Sequence, residues 1–197
     1  MIKQLSAHLA ASLYNHTSRP KYSLAVYDYG FQLLLSSGIT IISIFILGFV
    51  LRSSIMTIVY LLSTCSLRPF CGGYHASSYG RCYVSSLLLF LLTLGTGHVL
   101  QVISFHRYAE LFMLICSYVI IWKHAPIIHP HHPLSEPLQK KARRTAHFIA
   151  AIQIILWVFL TLFSSFSTIL SASITAVAVL MMIPILRKGD FFDAGIN

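Results

Sequence analysis

The sequence predicts an all-α protein: a polytopic membrane helix bundle of about six apolar spans, preceded by an amphipathic interfacial helix. Three observations predict it. Of the 197 residues, 56% are hydrophobic and only 10% are charged, where a soluble domain carries about 25% charged residues. Too few polar side chains remain to coat a water-soluble globule. Apolar runs long enough to cross a bilayer recur along the chain. The basic residues fall between those runs with a strong bias to alternate connections. No period-2 alternation recurs in segments of about ten residues, which excludes an outer-membrane barrel.

In chain order, residues 2–17 place Ile2, Leu5, Leu9 and Leu13 at spacings of three and four, with Lys3, Gln4, Ser6 and His8 elsewhere on the wheel. Such a helix either lies in the membrane interface or packs on the protein's own cytoplasmic surface. Arg19-Pro20-Lys21 ends it. Its apolar residues are interrupted by Lys3, Gln4, His8, Asn15 and Arg19, so no signal peptide is expected. Apolar spans follow at 30–51, 54–66, 83–104, 108–122, 147–166 and 168–186. The spans at 54–66 and 108–122 are short enough to be tilted, re-entrant or buried in protein, since thirteen residues reach only about 20 Å. Ser164, Ser165 and Ser167 mark a tight turn before the last span. Four prolines in 123–146 forbid regular structure until about Leu138, after which QKKARR begins the next helix. The whole chain, 1–197, reads as a single membrane domain. Within it, 1–29 is the amphipathic cytoplasmic or interfacial segment, and 123–146 is a Pro/His-rich basic cytoplasmic loop.

Charge sets the expected orientation. With a cytoplasmic N-terminus and six crossings, the inner segments hold twelve of the fourteen basic residues, and only Arg52 and Arg107 fall outside. The net charge of +9 then reflects topology and contact with anionic lipid rather than nucleic-acid binding. Segment 67–82 lies on the cytoplasmic side in this scheme.

That segment carries the chemistry. RPFCGGYHASSYGRCY brings Arg68, Gly72, Gly73, His75 and Cys82 into fifteen positions between two apolar stretches. A thiol becomes a strong nucleophile when a base takes its proton, and a histidine is the usual base. His75 and Cys82 are seven apart. On one continuous helix they share a face, although Gly80 and two serines intervene; either way they are within reach. Gly72-Gly73 permits a tight turn, close approach of a peptide and an oxyanion site from backbone N–H groups. Arg68 can grip a carboxylate with its fork or favour the thiolate. Each residue alone has a plain structural reading, with Arg68 and Arg81 as topology markers and an interface cysteine as a packed thiol. Cys71 is a rival nucleophile, and Cys65 and Cys116 read as packing residues.

Other chemistries are excluded. The acids are Asp28, Glu110, Glu136, Asp190 and Asp193, and no helix offers the paired carboxylates of an aspartyl protease. There is no HExxH, no GxSxG and no phosphate-binding GxxxxGK[ST]. His129, His131 and His132 read as a recognition loop rather than a metal site. No metal and no cofactor is expected.

These motifs resemble the accessory gene regulator B (AgrB) family, the membrane peptidases of Gram-positive quorum sensing. The likeness rests on Arg68, Gly72-Gly73, His75-Ala76 and Cys82 with the family's His–Cys spacing. It also rests on Ala125-Pro126, His129-Pro130 and Pro133-Leu134 followed by Lys140-Lys141, and on Tyr29-Gly30. It runs from about residue 20 to 188. The resemblance implies a cysteine endopeptidase with His75 and Cys82 as catalytic pair and Arg68, Gly72 and Gly73 in support. It implies an AgrD-like propeptide as substrate, loss of that substrate's acidic tail, closure of a thiolactone or lactone, and a homodimer in the cell membrane.

The rival class is a small transporter or peptide exporter without peptidase chemistry. It would place ionisable groups inside the spans, and the spans carry Ser and Thr but almost nothing ionisable except His98. The charge scheme makes a direct prediction. In a chain lacking its other cysteines, Lys141→Cys reacts with an impermeant maleimide only after the cytoplasmic face is opened, and Arg107→Cys reacts in intact cells. The reverse pattern overturns the orientation.

Overall fold

The computed structural model describes residues 2–17, 23–73, 78–127 and 135–193, the side chains of 187–193 excepted. Within them the chain forms seven helices: α1 (Ile2–His16), α2 (Leu24–Val50), α3 (Ser54–Cys71), α4 (Tyr79–Val102), α5 (His106–His124), α6 (Glu136–Phe163) and α7 (Ser167–Asp193). Five are long and apolar enough to cross a membrane: α2, α3, α4, α6 and Ser167–Leu186 of α7. The chain is a polytopic helical membrane bundle.

α7 is the centre of the bundle, and its composition explains why. Ser167, Thr168, Ser171, Ala172, Ser173, Ala176 and Ala178 are all buried along it. Small side chains let neighbouring backbones approach closely, which drives helix association in lipid. Their hydroxyls stay satisfied by bonding back one turn, Ser173 to the Ile169 carbonyl and Thr175 to that of Ser171. Gly97 on α4 faces Ile169, and a Cβ there would sit 3.3 Å from the Ile169 side chain. α2 is as apolar as α7 but carries large side chains, and most of it, including Leu34, Ile42 and Phe49, is exposed on the outer surface. Two buried clusters form around α7. One joins Leu67 and Cys71 of α3 to Leu114, Ile121, Ala150, Trp157, Ile174 and Met181. The other joins Ile44, Met56, Tyr60, Phe90, Leu94 and Ile169, with the Tyr60 and Phe90 rings 5.1 Å apart.

The two short spans prove longer than their apolar runs. α3 continues five residues past Ser66, through Pro69, to Cys71. Its 18 residues reach about 27 Å. It stops where Gly72 takes φ 70° and its N–H caps the Arg68 carbonyl at 3.0 Å. Arg68 therefore sits in the last turn of a helix, not in a loop. α5 has 19 residues and is not among the five helices apolar enough to span by composition. Its contacts nonetheless run parallel to α7: Arg107 bonds Ser167 (2.7 Å) and, three turns on, Ser117 bonds Thr175 (3.1 Å). α5 thus runs alongside the central helix from Ser167 to Thr175.

Helix enters the 123–146 region from both sides. α5 extends to His124 and α6 starts at Glu136, two residues before the expected onset at Leu138. Pro137 falls in the first turn, where its missing N–H has no partner to lose. The basic run QKKARR is helical. His129, His131 and His132 lie outside the described residues, as does the Arg19-Pro20-Lys21 break.

α1 packs on α2 through an unexpected face. Ser6 and Ala10 are fully buried there, whereas Leu5 and Leu13 are 51% and 44% exposed. Small residues allow the close approach, and the leucines point away from the protein, as an interfacial helix requires.

The α2–α3 hairpin closes with a Schellman pattern. Ser53 N–H bonds the Gly48 carbonyl (2.9 Å), and Arg52 N–H bonds that of Phe49 (3.0 Å) with Arg52 at φ 53°. Gly48 then touches the Thr57 side chain so closely that no Cβ fits. Gly48→Val should lower stability by about 1–3 kcal/mol, read as thermal unfolding in detergent. Gly30→Ala, where the space is open, should leave the transition unchanged or raise it.

Candidate functional site

Segment 67–82 is held at both of its ends, by different means. At the upstream end the backbone itself is seated. Ile127 N–H donates to the Cys71 carbonyl at 2.9 Å, and Gly72 pairs with Ile127 as an isolated parallel bridge. A Cβ on Gly72 would collide with the Ile127 carbonyl. Gly73 takes φ 123°, and a Cβ there would lie 3.0 Å from the Leu180 carbonyl of α7. Both glycines therefore occupy left-handed backbone pressed against other backbone, and side chains are excluded on two grounds. The Ala125–Pro126 peptide that leads into this contact is cis.

At the downstream end Ser78 is extended, φ −142° and ψ 152°, and its Oγ accepts the Arg81 N–H at 3.3 Å. This is an N-cap, and α4 begins after it. The helix that carries Cys82 therefore starts at Tyr79, four residues after His75, so the same-face argument over seven residues does not apply. His75 itself lies outside the described residues, 74–77 being the stretch between the two anchors.

Cys82 is the fourth residue of α4, its N–H bonded to the Ser78 carbonyl at 3.0 Å. It is partly exposed. Two tyrosines on the same helix fix its orientation against α2: Tyr79 donates to Gln32 Oε1 (2.7 Å) and Tyr83 to Ser43 Oγ (3.0 Å). A groove of about 330 Å³ opens between α2 and α4, lined by Ser43, Ile46, Leu47, Val50, Tyr83 and Leu87.

The four cysteines are all free thiols, and their surroundings separate them. Cys71 is 0% exposed, packed in the α3/α5/α6/α7 cluster. Cys65 and Cys116 are exposed on the outer surface of spans, not packed inside as their apolar surroundings suggest. Arg68 is half-buried one turn before Gly72, at the same end of the bundle as Cys82. That end also carries Arg81, Lys123, Lys140, Lys141, Arg143 and Arg144, with Arg143 bonding the Lys123 carbonyl at 3.3 Å. Arg52 and Arg107 occupy the opposite end. Among the described residues no group of three or more His, Cys, Asp or Glu side chains lies close enough to hold a metal ion.

Glu110 lies within the 108–122 span, contrary to the expectation that only His98 breaks the apolar character there, and it is 0% exposed. Trp157 Nε1–H donates to its Oε2 at 2.6 Å, and Arg107, at 3.9 Å from Oε1, extends to Ser167. This cluster ties α5 to α6 and α7 at the end remote from Cys82. The signal was present, a carboxylate three residues after an arginine with a tryptophan available on a later span, but pairing across spans is not readable from one segment.

A bundle of helices long and apolar enough to cross a membrane, with an Arg–Gly-Gly–Cys segment at one end, defines a polytopic integral membrane protein. The model of the accessory gene regulator B family matches residues 6–185, and the chain belongs to that family. It is similar to a putative AgrB-like protein from Clostridium beijerinckii, 25% identical over 100% of this chain and 96% of the relative. It is also similar to putative AgrB-like protein 2 of Clostridium perfringens, 23% identical over 80% and 79% of the two chains. The accessory gene regulator protein B of Staphylococcus carnosus is 27% identical over 66% of this chain and 67% of its own. No solved structure matches.

The double anchor gives a clear expectation. Gly72→Ala forces a Cβ into both a left-handed residue and the Ile127 carbonyl, and should cost about 1–3 kcal/mol, measured by thermal unfolding. Gly80→Ala, in open space within the first turn of α4, should hold or raise the transition.

Proposed function

We propose that the protein is a membrane cysteine endopeptidase that removes the C-terminal tail of an AgrD-like propeptide and promotes its cyclisation to a thiolactone or lactone signal for quorum sensing. The observation that carries this reading is the contrast between the thiols at the polar segment. Cys71 is sealed in the core, whereas Cys82 is accessible, in a helix first turn, four residues after the extended Ser78. Family membership supports a place in the accessory gene regulator system.

In this mechanism His75 accepts the Cys82 proton, and the thiolate attacks the carbonyl of the peptide bond before the tail. The tail leaves as an amine protonated by His75, and an acyl-enzyme thioester remains. A Cys or Ser within the substrate then attacks the thioester carbonyl. Its proton passes to His75 and on to the departing Cys82 sulfur as the ring closes. The thioester keeps the acyl group activated for this exchange, and shielding from water favours ring closure over hydrolysis. Arg68 and the basic first turns of α6, with Lys140, Lys141, Arg143 and Arg144, bind the acidic tail. A ribosomally made substrate arrives on the cytoplasmic side, which is where the cation-rich end of the bundle belongs under the positive-inside rule. The protein acts as a homodimer in the cell membrane.

The test is mass spectrometry of the propeptide encoded beside this gene, incubated with protein in liposomes. Wild type should release the tail and yield a cyclic product or a Cys82 adduct. Cys82→Ala should lower cleavage at least a thousandfold, while Cys71→Ala leaves it within a few fold. Cleavage that persists in Cys82→Ala overturns the assignment.

A further inference from the structure

A chain of hydrogen bonds links the N-terminal helix to the helix that carries Cys82. Ser6 on α1 donates from Oγ to Asp28 Oδ1 at 2.7 Å. Gln32, one turn along α2, donates from Nε2 to Asp28 Oδ2 at 2.9 Å. Gln32 Oε1 accepts the Tyr79 hydroxyl at 2.7 Å. Three helices, α1, α2 and α4, meet in this chain. Tyr79 is the first residue of α4, one turn before Cys82.

Asp28 sets the polarity of the whole chain. An ionised carboxylate only accepts, so it draws the Ser6 hydroxyl and the Gln32 amide N–H₂ toward itself. Gln32 must then turn its oxygen to the other side, where it meets the Tyr79 hydroxyl. Remove the carboxylate and nothing fixes which end of the Gln32 amide faces α4. Asp28 is one of five acids in the chain, and all of its polar capacity shown here is spent inside the protein rather than on a cation.

The location gives the chain its consequence. Upstream of 74–77 the backbone is seated on α7 and Ile127; downstream the constraint is side-chain hydrogen bonding, led by Tyr79. The reach of Cys82 to a base in the intervening stretch depends on where the first turn of α4 stands, and displacements of about 1 Å can cost a hundredfold in rate. We propose that Asp28 is a positioning residue. Through Gln32 and Tyr79 it fixes the first turn of α4, and so Cys82, relative to the seat of α1. The proposal rests on Cys82 being the nucleophile of the peptidase reaction.

The experiment uses full-length protein in liposomes, with two readouts. The first is tail cleavage of the propeptide under steady-state conditions. Tyr79→Phe removes one hydroxyl and Asp28→Asn removes the charge. Each should lower kcat about tenfold with KM within twofold, and the double variant should be no worse than the weaker single one, because both cut one chain. The second readout needs no substrate: the rate of Cys82 alkylation by iodoacetamide, followed by peptide mass spectrometry, should fall at least fivefold in Tyr79→Phe. Wild-type kcat in Tyr79→Phe, a loss confined to KM, multiplying losses in the double variant, or an unchanged or faster alkylation rate each overturn the proposal. If wild type itself fails to cleave, the peptidase reading falls, and the alkylation rates still decide the positioning.

Discussion

The backbone seat of Gly72 and Gly73 is the constraint on which the rest of the arrangement depends. Here α3 ends, the stretch after α5 folds back, and the backbone of α7 at Leu180 and Met181 passes within van der Waals distance. No side chain mediates the contact, so nothing in it can swing away as a rotamer. The Cys71 carbonyl and Ile127 N–H are satisfied by each other, which matters near a membrane, where an unpaired backbone group costs several kcal/mol. The polar segment therefore begins from a fixed point, although it leaves the bundle at a boundary where helices commonly fray.

Around this point the bundle divides its polar groups by depth. The end near Cys82 is cationic and holds the Asp28, Gln32 and Tyr79 chain. The middle uses paired hydroxyls and an amide, with Ser63 donating to Gln153 Oε1 (3.0 Å) and Gln153 donating back to the Ser63 carbonyl and Ser66 Oγ (both 3.0 Å). The far end holds Glu110 with Trp157 and Arg107. Each group joins different helices, and each is neutral or internally paired, which is how ionisable and amide side chains persist inside membrane segments. Glu110 stands as a clamp between α5, α6 and α7.

Much of this was legible in the sequence. The six runs, the amphipathic start, the serine turn at 164–167 and the polar segment with its candidate thiol all follow from composition and period. Helix ends were less legible. Apolarity stops at Ser66, but the backbone continues to Cys71 because its carbonyls are capped at Gly72. Apolarity is an equally poor guide to α5, whose N-terminal charges, Arg107 and Glu110, face each other and hydrogen-bond to Ser167 of α7 and Trp157 of α6. The cysteines show the same gap. Cys65 and Cys116 lie in apolar runs yet face outward, whereas Cys71, in the polar segment beside Gly72, is sealed.

What the sequence determined by itself is what one segment can encode alone: hydrophobic length, helical period, charge bias and the residue types that can do thiol chemistry. What only the tertiary structure decided is which helix sits at the centre, which thiol is reachable and what holds the first turn of α4. Hydropathy ranks α2 and α7 together, and only packing sends the large side chains of one to the outer surface and the small ones of the other to the core. Ser6, polar by its place on the wheel, is buried because Asp28 lies opposite it. Pairings between distant positions set these outcomes, and a sequence read one span at a time does not contain them.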